Sequence, residues 1–309
     1  MTTLLVSHSA CAEHDMGEGH PERPERLRAV EQAIDAEAFH HLTREAAPRA
    51  SLAALKRVHP SVYVEALERA QPSEGFVRLD PDTAMSPGTW EAALRAAGGA
   101  TFAVDAVVAA RADNAFVMTR PPGHHAEAAT PMGFCFFNNA AIAARHAQAA
   151  HGLERIAIVD FDVHHGNGTQ DIFWGDPSVM YASTHQMPLF PGTGARGETG
   201  EHDQIVNAPL RAGDGGDAFR EAFEAKILPR LDAFAPDLLI VSAGFDAHFR
   251  DPLGNLNLEE ADFAWVTQRL LAIADKRCGG RLVSLLEGGY DLEGLARSAA
   301  AHVGALVAG

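Results

Sequence analysis

Residues 155–174 read RIAIVDFDVHHGNGTQDIFW, and the polar half of that stretch carries groups that can do chemistry. Asp162 and His164 stand two apart, so on an extended chain both side chains face the same way. A carboxylate and an imidazole aimed at one point are the start of a metal site of the zinc type. A second histidine pair lies in RPPGHHAE, residues 120–127; SAGFDAH, residues 242–248, brings Asp246, and EGGY, residues 287–290, brings Tyr290. Asp162, His164 and Asp246 can supply three ligands, and three protein ligands with one open position is the catalytic form of a zinc site. A metal so held acidifies bound water and polarises a carbonyl. His124 and His125 offer general acid and base groups. Tyr290 follows two glycines, so its backbone can come close to the site and its phenol can donate to a developing oxyanion. Each feature alone has an ordinary reading: a solvated strand end, loop polarity, a packing tyrosine. Their weight as a metal-dependent amide hydrolase rests on the fold bringing them together.

Parallel strands would do that. Residues 156–159 form a short, β-branched apolar run, the pattern of a strand buried on both faces. Glycines 166 and 168 break regular structure just after it. Ligands of open α/β sheets bind beyond the carboxyl ends of such strands. Further strands are expected at 3–7, 115–119, 179–183, 204–210, 237–241 and 281–286. Helices are expected at 25–36, 51–57, 61–70, 89–110, 137–150, 218–233 and from 291. Another is expected at 257–276, with Asn257 as its cap and Glu259 and Glu260 in its first turn. Residues 71–89 and 189–200 read as loops. Strands alternate with helices and no linker or repeat divides the chain. The expectation is one domain, residues 1–309, a three-layer α/β/α fold with a mostly parallel sheet.

Composition narrows the function. The net charge of −16 argues against direct nucleic-acid binding, which needs a basic face. Cys11, Cys135 and Cys278 are too few and too scattered for a disulfide framework or a cysteine zinc site, so a reducing cytoplasm fits. No apolar run approaches membrane-spanning length. An acidic surface suits cationic substrates and also aids solubility.

Taken in order, RPPGHHA, GFCFFNN, DFDVHHGNGTQ, PGTG, SAGFDAH and EGGY resemble the histone deacetylase family of zinc amidohydrolases, along essentially the whole chain from HPERPERL onward. Asn167, where class I members carry Asp, makes the chain similar to class II. The resemblance implies the arginase–deacetylase fold, with a sheet of about eight strands. It implies Asp162, His164 and Asp246 as zinc ligands, His125 as general base and then acid, and His124 as its electrostatic partner oriented by Asp160. It makes Asn167 the partner of His125 and Tyr290 the group that polarises the scissile carbonyl. Phe134 and Phe190 would flank a narrow tunnel with Gly133 in its wall, and Asp82 would stand at the rim. The family also binds K+; here Asp160, Asp162 and Ser183, with the carbonyls of His164 and Thr184, match that site, and an outer site would use carbonyls of Phe173, Asp176 and Val179. One imidazole with two carboxylates also admits Fe2+ or Co2+ in place of Zn2+.

Rival chemistries fare less well. A dimanganese centre of the arginase type wants further acids at 166 and 248, which are Gly166 and His248. No G-x-S-x-G turn or H-E-x-x-H helix is present. A non-catalytic acyl-amine sensor has nothing to recommend it while base, ligands and Tyr290 are all in place. The substrate expected is acyl-lysine or a related small acylated amine. In class II relatives, polyamine specificity goes with a glutamate after D-P at the rim, and that position is Leu253. Acetylpolyamine hydrolysis is the alternative, supported by the acidic surface. An oligomer is compatible with all of this.

Overall fold

The structure, a computed structural model, describes residues 2–309. Among the described residues there are ten strands: β1 (Thr3–Ser7), β2 (Thr43–Ala46), β3 (Val77–Asp80), β4 (Thr83–Met85), β5 (Asn114–Met118), β6 (Ile156–Asp160), β7 (Val179–Gln186), β8 (Ile205–Leu210), β9 (Leu238–Ala243) and β10 (Leu282–Leu286). The helices are α1 (Glu25–Ile34), α2 (Leu52–Leu55), α3 (Ser61–Arg69), α4 (Thr89–Val108), α5 (Asn139–His151), α6 (Asn167–Ile172), α7 (Gly216–Ala222), α8 (Leu228–Phe234), α9 (Glu260–Cys278) and α10 (Leu292–Ala308).

Eight strands form one sheet in the order β2-β1-β5-β10-β9-β6-β7-β8. Every pairing in it is parallel. Alternate residues along each strand feed two cores. Ala157, Val159, Leu239, Val241 and Phe116 pack under α1, α9 and α10, while Ile156, Ile158, Leu238, Ile240 and Val117 pack under the alanine-rich α4 and α5. Burial on both faces explains why these strands read as continuous apolar runs. A third cluster joins α2, α3, Trp90, Phe136 and Phe137 at one end.

Several local expectations are corrected. Helix α9 is capped by Glu259, not Asn257: Glu259 and Asp262 form a reciprocal capping box, and the Asn257 backbone is already bridged to Gly215. Residues 71–89 are not all loop, since β3 and β4 pair as an antiparallel hairpin. The helix expected at 218–233 is broken by a π-helical turn, Phe223–Ile227, just before Pro229. Proline lacks the N–H and crowds the preceding turn, and the wider turn accommodates it. Helix α4 does run through Gly98 and Gly99. A Cβ at Gly98 would run into the Pro48 carbonyl, so the glycine lets the chain pass there. Strand β2 was not expected; it is an exposed edge strand. No helix among the described residues is long and apolar enough to cross a membrane.

Candidate active site and metal centre

The four polar strand ends singled out above belong to β5, β10, β9 and β6, which are consecutive in the sheet. Parallel pairing puts all four carboxyl ends on one edge. Asp162, His164 and Asp246 meet there, all buried. His164 Nδ1 lies 3.2 Å from Asp162 Oδ1 and 3.1 Å from Asp246 Oδ2. Donors about 2.0–2.2 Å from one tetrahedral ion are roughly 3–3.5 Å apart, so this spacing fits a shared cation. The remaining oxygens are anchored: Asp246 Oδ1 accepts from Val163 N at 2.8 Å, and Asp162 Oδ2 from Gly288 N at 2.8 Å. A side chain at Gly288 would collide with both carboxylates, which is why the tyrosine loop can close over them only on glycine. Burial opposes a proton on His164, but hydrogen bonds to and charges of Asp162 and Asp246 outweigh it and raise its pKa to about 10. Burial and the Asp162 charge lift Asp246 to about 7.

A second group, Asp105 with His146 and His151, bridges α4 and α5 on the surface. There both Nε2 atoms approach one Asp105 oxygen at 2.7 and 2.6 Å, which are hydrogen-bond lengths. Arg57 Nη1 lies 3.2 Å from His146 Nδ1; a guanidinium only donates, so the imidazole proton sits on Nε2. That cluster is a proton-bridged interhelical contact.

The paired histidines are pushed in opposite directions. His124 Nδ1 sits 3.0 Å from Asp160 Oδ2. Burial works against its charge, yet Asp162 and Asp160 together raise its pKa well above the ordinary value. His125 donates from Nδ1 to Asn167 Oδ1 at 2.8 Å. Burial, then the charge of His124, hold it well below the ordinary value. The two imidazoles are thus biased in opposite directions, the separation that an electrostatic stabiliser beside a general base would need. Gly133, at φ +56°, packs directly on the His125 ring and leaves no room for a side chain.

Above them a cavity of about 280 Å³ is lined by Asp82, His125, Gly133, Phe134, His164, Leu189, Phe190, Leu253 and Tyr290. Phe190 stands edge-on to His125 with centroids 5.1 Å apart, and Phe134 edge-on to Tyr290 at 5.8 Å. Tyr290 is 8% exposed and turned into the cavity. The Asp82 carboxylate accepts from Gly133 N at 3.1 Å and Thr83 Oγ1 at 2.8 Å, so it holds the cavity wall. On the potassium candidates, Asp160 and Ser183 are register partners on β6 and β7, and Thr184 Oγ1 is buried without a partner.

Sequence reasoning missed the groups that hold these loops. Glu22, Arg26 and Arg120 are fully buried. Glu22 pairs with Arg120 Nη2 at 2.6 Å and Arg26 Nη1 at 2.9 Å. Arg26 also donates to Gly289 O at 2.6 Å and Glu287 O at 2.5 Å, and lies 4.8 Å from the Tyr290 ring centroid. Glu287 Oε2 accepts from Gly123 N at 2.7 Å, tying the tyrosine loop to the histidine loop. The signal was present: these charges sit inside HPERPER, RPPGHH and EGGY.

Comparison with known proteins agrees with this geometry. The family model described as the histone deacetylase domain matches residues 20–306. A probable deacetylase of Archaeoglobus fulgidus is 41% identical over 95% of this chain and 83% of its own length. A histone deacetylase-like amidohydrolase of Pseudomonas aeruginosa is 42% identical over 88% of this chain and 73% of its own. The crystal structure of the HDA15 HD domain superposes with a TM-score of 0.93 and 37% identity, covering 98% of this chain and 88% of that one.

Proposed function

The chain belongs to the histone deacetylase family, and from that premise we propose that it is a zinc-dependent deacylase of acyl-lysine or a related small acylated amine. The observation that carries this reading is the oppositely biased pair His124 and His125, set beside the Asp162–His164–Asp246 cluster at the floor of an aromatic cavity. Those three ligands would hold the zinc ion, and Fe2+ or Co2+ suits the same donors. A divalent ion bound there supplies a polarised carbonyl and water acidified toward neutral pH.

The chain's own residues account for the rest. Phe134 and Phe190 line the cavity, where they would clasp an alkyl stem and exclude water. His125 Nε2, left free because Nδ1 donates to Asn167, takes the proton of the attacking water and returns it to the leaving amine. His124, biased toward its cation by Asp162 and by Asp160, to which it is hydrogen-bonded, would stabilise the negative charge that develops. Tyr290 lines the same cavity, and its hydroxyl would donate to the carbonyl oxygen. Asp160, Asp162 and Ser183, with the carbonyls of His164 and Thr184, would hold K+ behind the site, an all-oxygen set suited to a hard cation. The outer potassium site would use the carbonyls of Phe173, Asp176 and Val179.

The cavity lining favours lysine-like acylamides. Leu253 presents an alkyl group where a distal ammonium would have to rest. The net charge of −16 supports the acetylpolyamine alternative. The test is kcat/KM for an acyl-lysine peptide panel against acetylputrescine, acetylcadaverine and acetylspermidine. Acyl-lysine or broad turnover is expected. A tenfold or greater preference for the polyamines overturns the substrate reading, and no turnover of any member with loaded metal overturns the enzyme reading.

A further inference from the structure

We propose that Glu127 is the positioning residue that keeps His125 in its basic tautomer, acting through Asn167; the inference rests on His125 being the base. Asn167 is the weak link of the site as described. A carboxylate partner presents an acceptor whichever way it turns, whereas an amide presents oxygen at one end and N–H donors at the other. If the Asn167 amide turned over, its nitrogen would face His125 Nδ1. The proton would then be driven to Nε2, and the atom that must accept a proton would already carry one. In a serine-protease triad the same exchange of Asp for Asn costs about 10⁴-fold in kcat, because the wrong tautomer is held.

The surroundings of the far end of the amide decide its orientation. Asn167 Nδ2 donates to Glu127 Oε1 at 3.1 Å. Its other neighbours there are Met132 Sδ at 3.3 Å, a weak acceptor, and His125 O at 3.5 Å, the limit of a hydrogen bond. With the amide reversed, its oxygen would stand against the Glu127 carboxylate, two acceptors with no proton between them. Glu127 therefore excludes the reversed form. Its own position is set by a tight turn, in which its N–H donates to Thr130 O at 3.1 Å. It is half-buried and takes no part in lining the cavity, so it reaches the reaction only through Asn167. The sequence offers the juxtaposition in plain form: GHHAE puts Glu127 two residues after the base.

The zinc-loaded enzyme tests this on whichever acylamide it hydrolyses best. Glu127→Ala should lower kcat tenfold or more, up to about 10⁴-fold, with KM within twofold. Glu127→Gln can still accept from Asn167 and should recover most of that rate. Glu127→Lys replaces the acceptor with a donor and should cost at least as much as Glu127→Ala. In an Asn167→Asp background both ends of residue 167 are oxygen, so removing Glu127 should cost nothing or raise kcat by relieving two opposed carboxylates. His125→Ala runs alongside. If Glu127→Ala and Glu127→Lys stay within twofold of the parent while His125→Ala is dead, the inference fails and the base assignment stands. If Glu127→Ala costs as much in the Asp background as in the parent, its role is merely structural and the inference fails. If His125→Ala keeps near-normal turnover, the base assignment falls and this inference with it.

Discussion

Leu253→Glu should turn the cavity toward substrates with a distal ammonium. Leu253 lines the cavity together with Phe134 and Phe190. Its N–H donates to Asp251 Oδ1 at 3.0 Å, and Asp251 Oδ2 in turn accepts from Tyr290 N at 2.7 Å. The backbone at 253 is thus fixed relative to the tyrosine, and a glutamate there would be held near the path of the substrate. An exposed ion pair contributes about 0.2–1 kcal/mol, and a desolvated hydrogen bond to a charge about 1.5–3. Leu253 is only partly buried, which places the gain between those limits, at about 1–2 kcal/mol. That corresponds to roughly 5–30-fold in kcat/KM for acetylputrescine or acetylspermidine. Acetyl-lysine peptides lose the leucine contact and should fall only a few-fold. The assay is the ratio of the two kcat/KM values, repeated with N-butylacetamide, which has the alkyl stem and no ammonium. The shift should shrink in high salt. A change in the ratio below twofold, or an equal gain with the uncharged amide, would refute the reasoning.

Asp246→Ala should lose bound metal and activity together, by metal analysis of the purified protein; retention of both would remove Asp246 from the ligand set. Tyr290→Phe should fold normally and lose about 10²–10³-fold in kcat, as for loss of one oxyanion donor; near-normal turnover would reassign the tyrosine to packing. Glu22→Gln leaves Arg26 and Arg120 buried without their carboxylate and should destabilise by about 3–5 kcal/mol in denaturant melts; a loss under 1 kcal/mol would mean the arginines find other partners. Stability should fall as pH drops below about 6.5, the ordinary histidine value. Burial depresses His59 and His185 to about 4 and His165 and His302 to about 3. The unfolded chain binds those protons first, so the stability is complete above pH 6.5 and lost progressively toward pH 3–4, at up to about 1.4 kcal/mol per histidine per pH unit. A flat unfolding free energy between pH 7 and 5 would contradict this.

The centre of the site was legible because its chemistry is local in sequence. DFDVHHGN carries Asp162 and His164, two of the proposed ligands, and the strand before it announces itself by apolar, β-branched residues. That β5, β10, β9 and β6 would be neighbours was not legible, since strand order is a long-range property. Strand β2 left no trace because it is an exposed edge with TREA for a sequence, and a strand with no buried face has no period-two signal. Glu22, Arg26 and Arg120 were invisible as buried residues for the opposite reason. Charges are rarely buried unless paired, and their pairing joins residues 98 apart for Glu22 and Arg120. Glu127 shows the same limit at the scale of one hydrogen bond. Sequence places it beside the base, but only structure puts its carboxylate on the far end of Asn167.

What organises the site electrostatically is an excess of buried acid. Asp160, Asp162, Asp246 and Glu287 are all buried, with His124, His125 and His164 as the nearby titratable bases. Without a metal ion, protons must balance that charge. His164 takes one, raised to about 10, and Asp246 and Glu287 each sit near 7, Glu287 chiefly through burial. A dication bound to Asp162, His164 and Asp246 must displace the protons on its ligands, so affinity should rise with pH and loading at pH 7 should release acid. The same excess bears on His125, the proposed base. It keeps His124 charged, and a charged His124 at a 3.9 Å ring separation holds His125 neutral. On the proposed reading, metal capture and a neutral His125 are two results of one arrangement. On that reading a bound cation would balance these buried carboxylates, and His125, hydrogen-bonded to the Asn167 amide, would be left free to accept a proton.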